Sequence, residues 1–216
     1  MHSVATIPEE IETHTRLQKP HAQETPVKHS VWGTSIRFTV VTAVLLGLGY
    51  PLLMTGLAQL LFPHQANGSL IELPNGQIIG SEIIAQSFTS DKYFHPRPSD
   101  AGNGYDATSS GGSNLAQSNA KLAQRMQADI DKLAAENPGK PVPIDAVTYS
   151  SSGLDPDITP DNAYFQAPRV AKARGLTEAE VNKLIEEHIQ GRTLGLLGEQ
   201  RVNVLDLNLA LDQISK

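Results

Sequence analysis

The chain has 216 residues, a net charge of −6, no cysteine and 39% hydrophobic residues. Without cysteine there are no disulfides, thiol catalysis or thiolate metal sites, and an acidic balance disfavours nucleic acid as a partner. All of the excess negative charge lies after residue 62, where nineteen Asp and Glu face thirteen Lys and Arg.

Residues 1–37 mix Pro, His, Glu and Thr with few large apolar side chains, so they bury too little surface to offset their ordering entropy. They are expected to form a disordered cytoplasmic tail. His2, His14, His21 and His29 are irregularly spaced and read as solvated rather than metal-binding. From Phe38 to Phe62, twenty-five consecutive residues carry no charge. At about 1.5 Å per residue this run is long enough to cross a hydrocarbon layer of about 30 Å, and it is too long for the apolar core of a cleavable signal. Lys19, Lys28 and Arg37 precede it, whereas no basic residue follows until Lys92. That bias predicts a single-pass protein with its N-terminus in the cytoplasm and residues 63–216 outside, in the periplasm where one exists.

Within the span, Thr39, Ala43, Gly47, Pro51 and Thr55 recur every fourth position and predict a ridge of small residues where another helix can pack, with the bulky leucines left for membrane lipid. Gly49 and Pro51 predict a local kink. No ionisable group lies in the span, so it offers no ion path by itself.

The exported part reads as an α+β domain. SLIEL and QIIG flank Pro74-Asn75-Gly76 and predict a hairpin over 69–80. A long Pro- and Gly-rich loop follows, with Tyr93, Phe94 and Tyr105 expected to pack it down. Asn114 and Gln117 resemble a capping box, predicting a helix over about 115–136 that Asn137-Pro138-Gly139 ends. Alternation in 141–149 predicts a strand. Thr159-Pro160-Asp161 begins a short helix that Pro168 should interrupt before Gly175. Thr177 to Glu180 caps another helix, ending before Gly191. Period-two alternation from Val202 to Leu211 predicts a closing strand.

Candidate chemistry is sparse. Ser110, Gly111, Gly112 and Ser113 precede the predicted 115–136 helix and suggest a weak anion site, although the P-loop lysine is missing. Asp155, Asp157 and Asp161 lack the Gly and Glu that a calcium loop needs. His95 is the better catalytic candidate for a membrane-anchored hydrolase, but no GxSxG or SxxK pattern accompanies it. His188 reads as a core histidine, and Arg97 as a residue that positions its loop through a carboxylate or carbonyl. A stand-alone ligand-binding module is the other alternative.

The ordered blocks YFHPRPS (93–99), GYDATSSGGSNL (104–115), SSGLDPDIT (151–159), PRVAKARGL (168–176) and GEQRVNVLDLNLAL (198–211) resemble the KdpC family, the C subunit of a potassium-transporting P-type ATPase. Asp157 and Gln200 depart from the usual family pattern, which has His and Pro there. The resemblance implies a non-catalytic subunit in the cell inner membrane, partnered by a potassium-channel-like A subunit and an ATP-hydrolysing B subunit. It implies no directly bound cofactor. ATP acts at the level of the complex, and its affinity is held to be raised by the C subunit as a catalytic chaperone. Since such a pump binds ATP in the cytoplasm, the expected topology makes any such effect indirect.

Overall fold

A computed structural model describes residues 30–214, so the tail readings, including His2, His14, His21 and His29, fall outside the described residues. Two units are distinguished, Met1–Leu53 and Met54–Lys216.

The apolar run is helical from Val31 to Leu61, 31 residues in all, and so starts before the predicted position 38. Ser30 caps it, its hydroxyl accepting from the Gly33 N–H. Helix α1 (Val31–Val44) and helix α2 (Tyr50–Leu61) are joined by a π-helical stretch, Leu45–Gly49, in which the Tyr50 N–H reaches back to the Leu45 carbonyl. The departure from α geometry falls where Gly49 and Pro51 predicted a kink. Proline at 51 cannot donate to residue 47, and a wider turn is one way a helix absorbs that loss. None of the residues in α1, the π stretch or α2 is buried.

The second unit mixes helices and short strands. A one-turn helix α3 (Pro63–Ala66) leads into β1 (Leu70–Glu72) and β2 (Ile78–Ser81), which pair antiparallel as the predicted hairpin. Gly76 takes φ +79 in the turn and donates to the Leu73 carbonyl at 2.8 Å. A second sheet has the order β3 (Asp157–Ile158), β5 (Arg201–Asn203), β4 (Ile189–Gln190), all antiparallel, with Val202 opposite both Ile158 and Ile189. Three helices pack with it: α5 (Pro160–Arg174), α6 (Glu178–His188) and α7 (Val204–Ile214). Phe94, Ile158, Ala163, Val170, Ile185, Leu207 and Leu211 belong to the common core.

Local chemistry explains most boundaries. Thr159 accepts from the Asn162 N–H, Pro160 occupies the first turn of α5, and Gly175 at φ +69 ends it. In α6 the Thr177 hydroxyl and Glu180 carboxylate form the complete predicted capping box.

Four expectations need correction. Helix α4 (Ala120–Glu136) begins five residues late, capped by Asn119 rather than Asn114. Asn114 sits at φ +51, in the left-handed region, whereas an N-cap needs extended backbone. The 141–149 strand is instead a 3₁₀ turn at Ile144–Ala146, where Asp145 is drawn inward to accept from the Thr159 N–H and hydroxyl and the Asn162 amide. Pro168 lies inside an unbroken α5, because burial of Ala163, Ala167, Val170 and Ala171 outweighs a cost of about 3 kcal/mol for proline in a helix. The closing strand stops at Asn203. Val204, Leu207, Asn208 and Leu211 follow helical spacing and are buried on α7, whereas the alternation counted only the leucines and valines.

Candidate functional site

Two features merit comparison as sites: the segment around His95, and the apolar helix face. The His95 segment is held by polar side chains from the helices. Asn208 of α7 accepts from the Phe94 N–H at 2.8 Å and donates to its carbonyl at 3.0 Å. Gln166 of α5 does the same for His95, accepting at 2.8 Å and donating at 3.0 Å. Arg169 donates to the Asp91 and Tyr93 carbonyls, and Arg174 to that of Lys92. The Asn208 and Gln166 clamps satisfy backbone groups of Phe94 and His95 that would otherwise lie unpaired in or beside the core, where the Phe94 side chain is fully buried.

Arg97 behaves as expected. Its guanidinium meets the Asp155 carboxylate at 2.9 Å and the Tyr149 carbonyl at 3.2 Å, while its own carbonyl accepts from the Tyr105 hydroxyl at 2.8 Å. Burial, with Tyr149 nearby, pushes the Tyr105 phenol up to about 12. The Arg169 to Gln166 to Asn162 to Asp145 chain continues the network inward. These amides were missed in the sequence. Their signal was Asn162 and Gln166 four residues apart, on a helix face shared with buried Ala163, Phe165 and Ala167.

A cavity of about 500 Å³ opens beside this network, walled by the His95 segment, α4 and α5. Asp91, Asp129, Glu136, Lys132 and Arg169 contribute both signs of charge. The His95 ring meets the Ser90 carbonyl at 3.1 Å, not a hydroxyl. Burial, reinforced by Arg169, holds its pKa below the ordinary value, and Nε2, facing a carbonyl oxygen, is the donor in that contact. His188 Nδ1 similarly contacts the Leu184 carbonyl at 2.8 Å, one turn back on α6.

Ser110, Gly111, Gly112 and Ser113 do not open a helix, since α4 starts at Ala120. The Gly111 N–H and Ser110 hydroxyl both donate to the Ser152 carbonyl at 2.9 Å. Gly153, at φ +67, approaches so closely that an added Cβ would lie 2.6 Å from the Gly111 carbonyl oxygen. The glycine run thus packs one loop against another, and the helix dipole that suggested an anion site there is absent. Asp155 is paired with Arg97, and Asp157 with Arg201 at 3.0 Å. Burial nevertheless raises the Asp157 pKa against the pull of Arg201. Among the described residues no cluster of three His, Asp or Glu is placed to hold a metal.

On the apolar helix, Thr39, Ala43, Gly47, Pro51 and Thr55 are all exposed, and a Cβ at Gly47 would meet nothing within 4 Å. A ridge that steps every fourth residue drifts round a helix with 3.6 residues per turn. The wider π turn at Leu45–Gly49 holds more residues per turn and so reduces that drift at the middle of the ridge.

Comparison with known proteins fits these features together. Residues 32–213 match the family model described as "KdpC: K+-transporting ATPase, c chain". A protein of Acidobacterium capsulatum named "Potassium-transporting ATPase KdpC subunit" is 61% identical over 182 residues, 84% of this chain and 97% of that one. Relatives of the same name from Koribacter versatilis and Methylobacterium nodulans are 57% and 55% identical, covering 83% and 82% of this chain and 92% and 93% of theirs. With the match running from the apolar helix through α7, the chain belongs to the KdpC family of K+-transporting ATPase subunits.

Proposed function

We propose that this chain is a non-catalytic accessory subunit of an ATP-driven, high-affinity potassium import complex, needed for assembly or stability. Its apolar helix crosses the inner membrane once, with the N-terminus cytoplasmic and residues 63–216 outside. The potassium-channel-like and ATP-hydrolysing subunits are its partners, and any rise in ATP affinity acts through packing that favours one pump conformation.

The observation that carries this reading is the helix. Its apolar side chains all face outward, and the small residues at Thr39, Ala43, Gly47, Pro51 and Thr55 leave room for a second backbone. In lipid, close backbone approach is the main drive for helix association. Orientation rests on Lys19, Lys28 and Arg37 before the span, against none after it until Lys92. The packed, mutually satisfied polar groups round His95 suit a scaffold better than a hydrolytic centre.

Gly47→Leu places a bulky side chain on the ridge. It should reduce recovery of the pump subunits in mild-detergent co-purification several-fold while leaving the melting of Met54–Lys216 unchanged. Undiminished recovery would overturn docking through this face.

A further inference from the structure

Between β4 and β5 the chain forms a small hairpin, and its tip is three exposed leucines: Leu194 at 87%, Leu196 at 80% and Leu197 at 63%. The hairpin is ordered. Thr193 and Leu197 exchange both backbone hydrogen bonds, at 2.9 and 3.0 Å, and Arg192 pairs with Glu199 at the base. The Leu196 N–H also closes on the Thr193 carbonyl at 3.2 Å, so Leu194 and Gly195 are the central residues of a β-turn.

Both have positive φ, +54 and +74, the arrangement of a type I′ turn. Its first central position favours Asn, Asp or Gly, because the left-handed region is strained for a side chain with a Cβ. Here it holds a leucine, fully displayed to its surroundings. The leucine side chain has no internal packing that would favour it there, and backbone strain of this kind clusters at functional segments.

We infer that this leucine tip is a docking plug that enters an apolar pocket of another protein subunit of the same membrane complex. The inference rests on the proposed membership in that complex. A lipid surface fits less well, because interfacial anchors combine Trp or Phe with free basic charge. This tip has no aromatic residue, its one basic residue is neutralised by Glu199, and residues 63–216 carry excess negative charge. Three leucines cover on the order of 300 Å², well short of the roughly 800 Å² per partner of a stable interface. A patch of that size cannot hold a second soluble copy. It contributes when another element already holds the partner nearby, as a membrane helix does, since the second contact then forms at high effective concentration.

The test uses the full chain co-expressed with the pump subunits. Leu194→Asn replaces the strained leucine with a residue that suits the turn, so the melting temperature should stay level or rise. With Leu196→Ser and Leu197→Ser added, subunit association should fall roughly tenfold or more. Benzoylphenylalanine in place of Leu196 should, on irradiation of the purified complex, form an adduct with another protein subunit. If the complex forms but the label reaches only lipid or another copy of this chain, or forms no adduct, the plug is overturned while the proposed function stands. Association undiminished in the triple variant overturns it equally. If no complex forms with the unaltered chain, both fall.

Discussion

The apolar helix and the chain that follows it from Pro63 handle hydrophobic side chains in opposite ways. In the helix, Leu45, Leu48, Leu52 and Leu53 face outward and nothing is buried. In the second unit, Phe94, Ile185, Leu207 and Leu211 are shut inside, and the polar amides Asn162, Gln166 and Asn208 are buried with them. The first arrangement is stable only where the surrounding medium is itself apolar, while the second draws its stability from water. Cores and membrane faces therefore respond differently to the same substitution.

The sharpest way to break this contrast is to truncate one residue from each region. Phe94→Ala should cost the second unit about 3–5 kcal/mol, read from denaturant unfolding followed by near-ultraviolet circular dichroism. Leu48→Ala should move the same transition by less than about 0.5 kcal/mol. Equal effects would show that the helix contributes to the same cooperative unit.

A smaller effect tests the buried polar clamps. Asn208→Ala leaves the Phe94 N–H and carbonyl without their partners, at a cost of about 2–4 kcal/mol for the two groups. Amide hydrogen exchange at Phe94 should accelerate accordingly. Unchanged exchange would mean that the amide adds nothing beyond its packing.

The smallest effect is pH-dependent. The folded Tyr105 phenol titrates at about 12 against an ordinary value of 10.0, so the protonated form is favoured in the native state. Its contribution is full below pH about 10 and is lost as pH rises through about 12. Tyr105→Phe removes the bond to the Arg97 carbonyl, lowering stability at neutral pH by about 1 kcal/mol. The gap to the unaltered chain should close across that alkaline window. A gap that stays constant through it would show that the phenol keeps its ordinary pKa.

Where a residue's neighbours in sequence control its conformation, the chain could be read directly. The apolar run, the Pro74-Asn75-Gly76 hairpin and the Thr159 and Thr177 caps all belong to that class. So did family membership, because five short blocks kept their order. Those blocks turn out to meet in space. The 93–99 segment is clamped by Gln166, Arg169, Arg174 and Asn208, and Gly111 packs on Ser152 and Gly153.

Tertiary structure alone decided the rest. Asn208 looks solvent-facing in sequence, yet it is buried on α7 beside Leu207 and Leu211 and satisfies the backbone of a residue 114 positions away. Pro168 stays helical because the face around it is buried, and Asn114 fails as a cap because its loop forces a left-handed backbone. The common cause is long-range pairing: a local signal worth one to three kcal/mol yields when burial and buried hydrogen bonds elsewhere outweigh it. Local sequence thus determined which segments are apolar, capped or turned, and distant contacts determined which of those preferences the folded chain obeys.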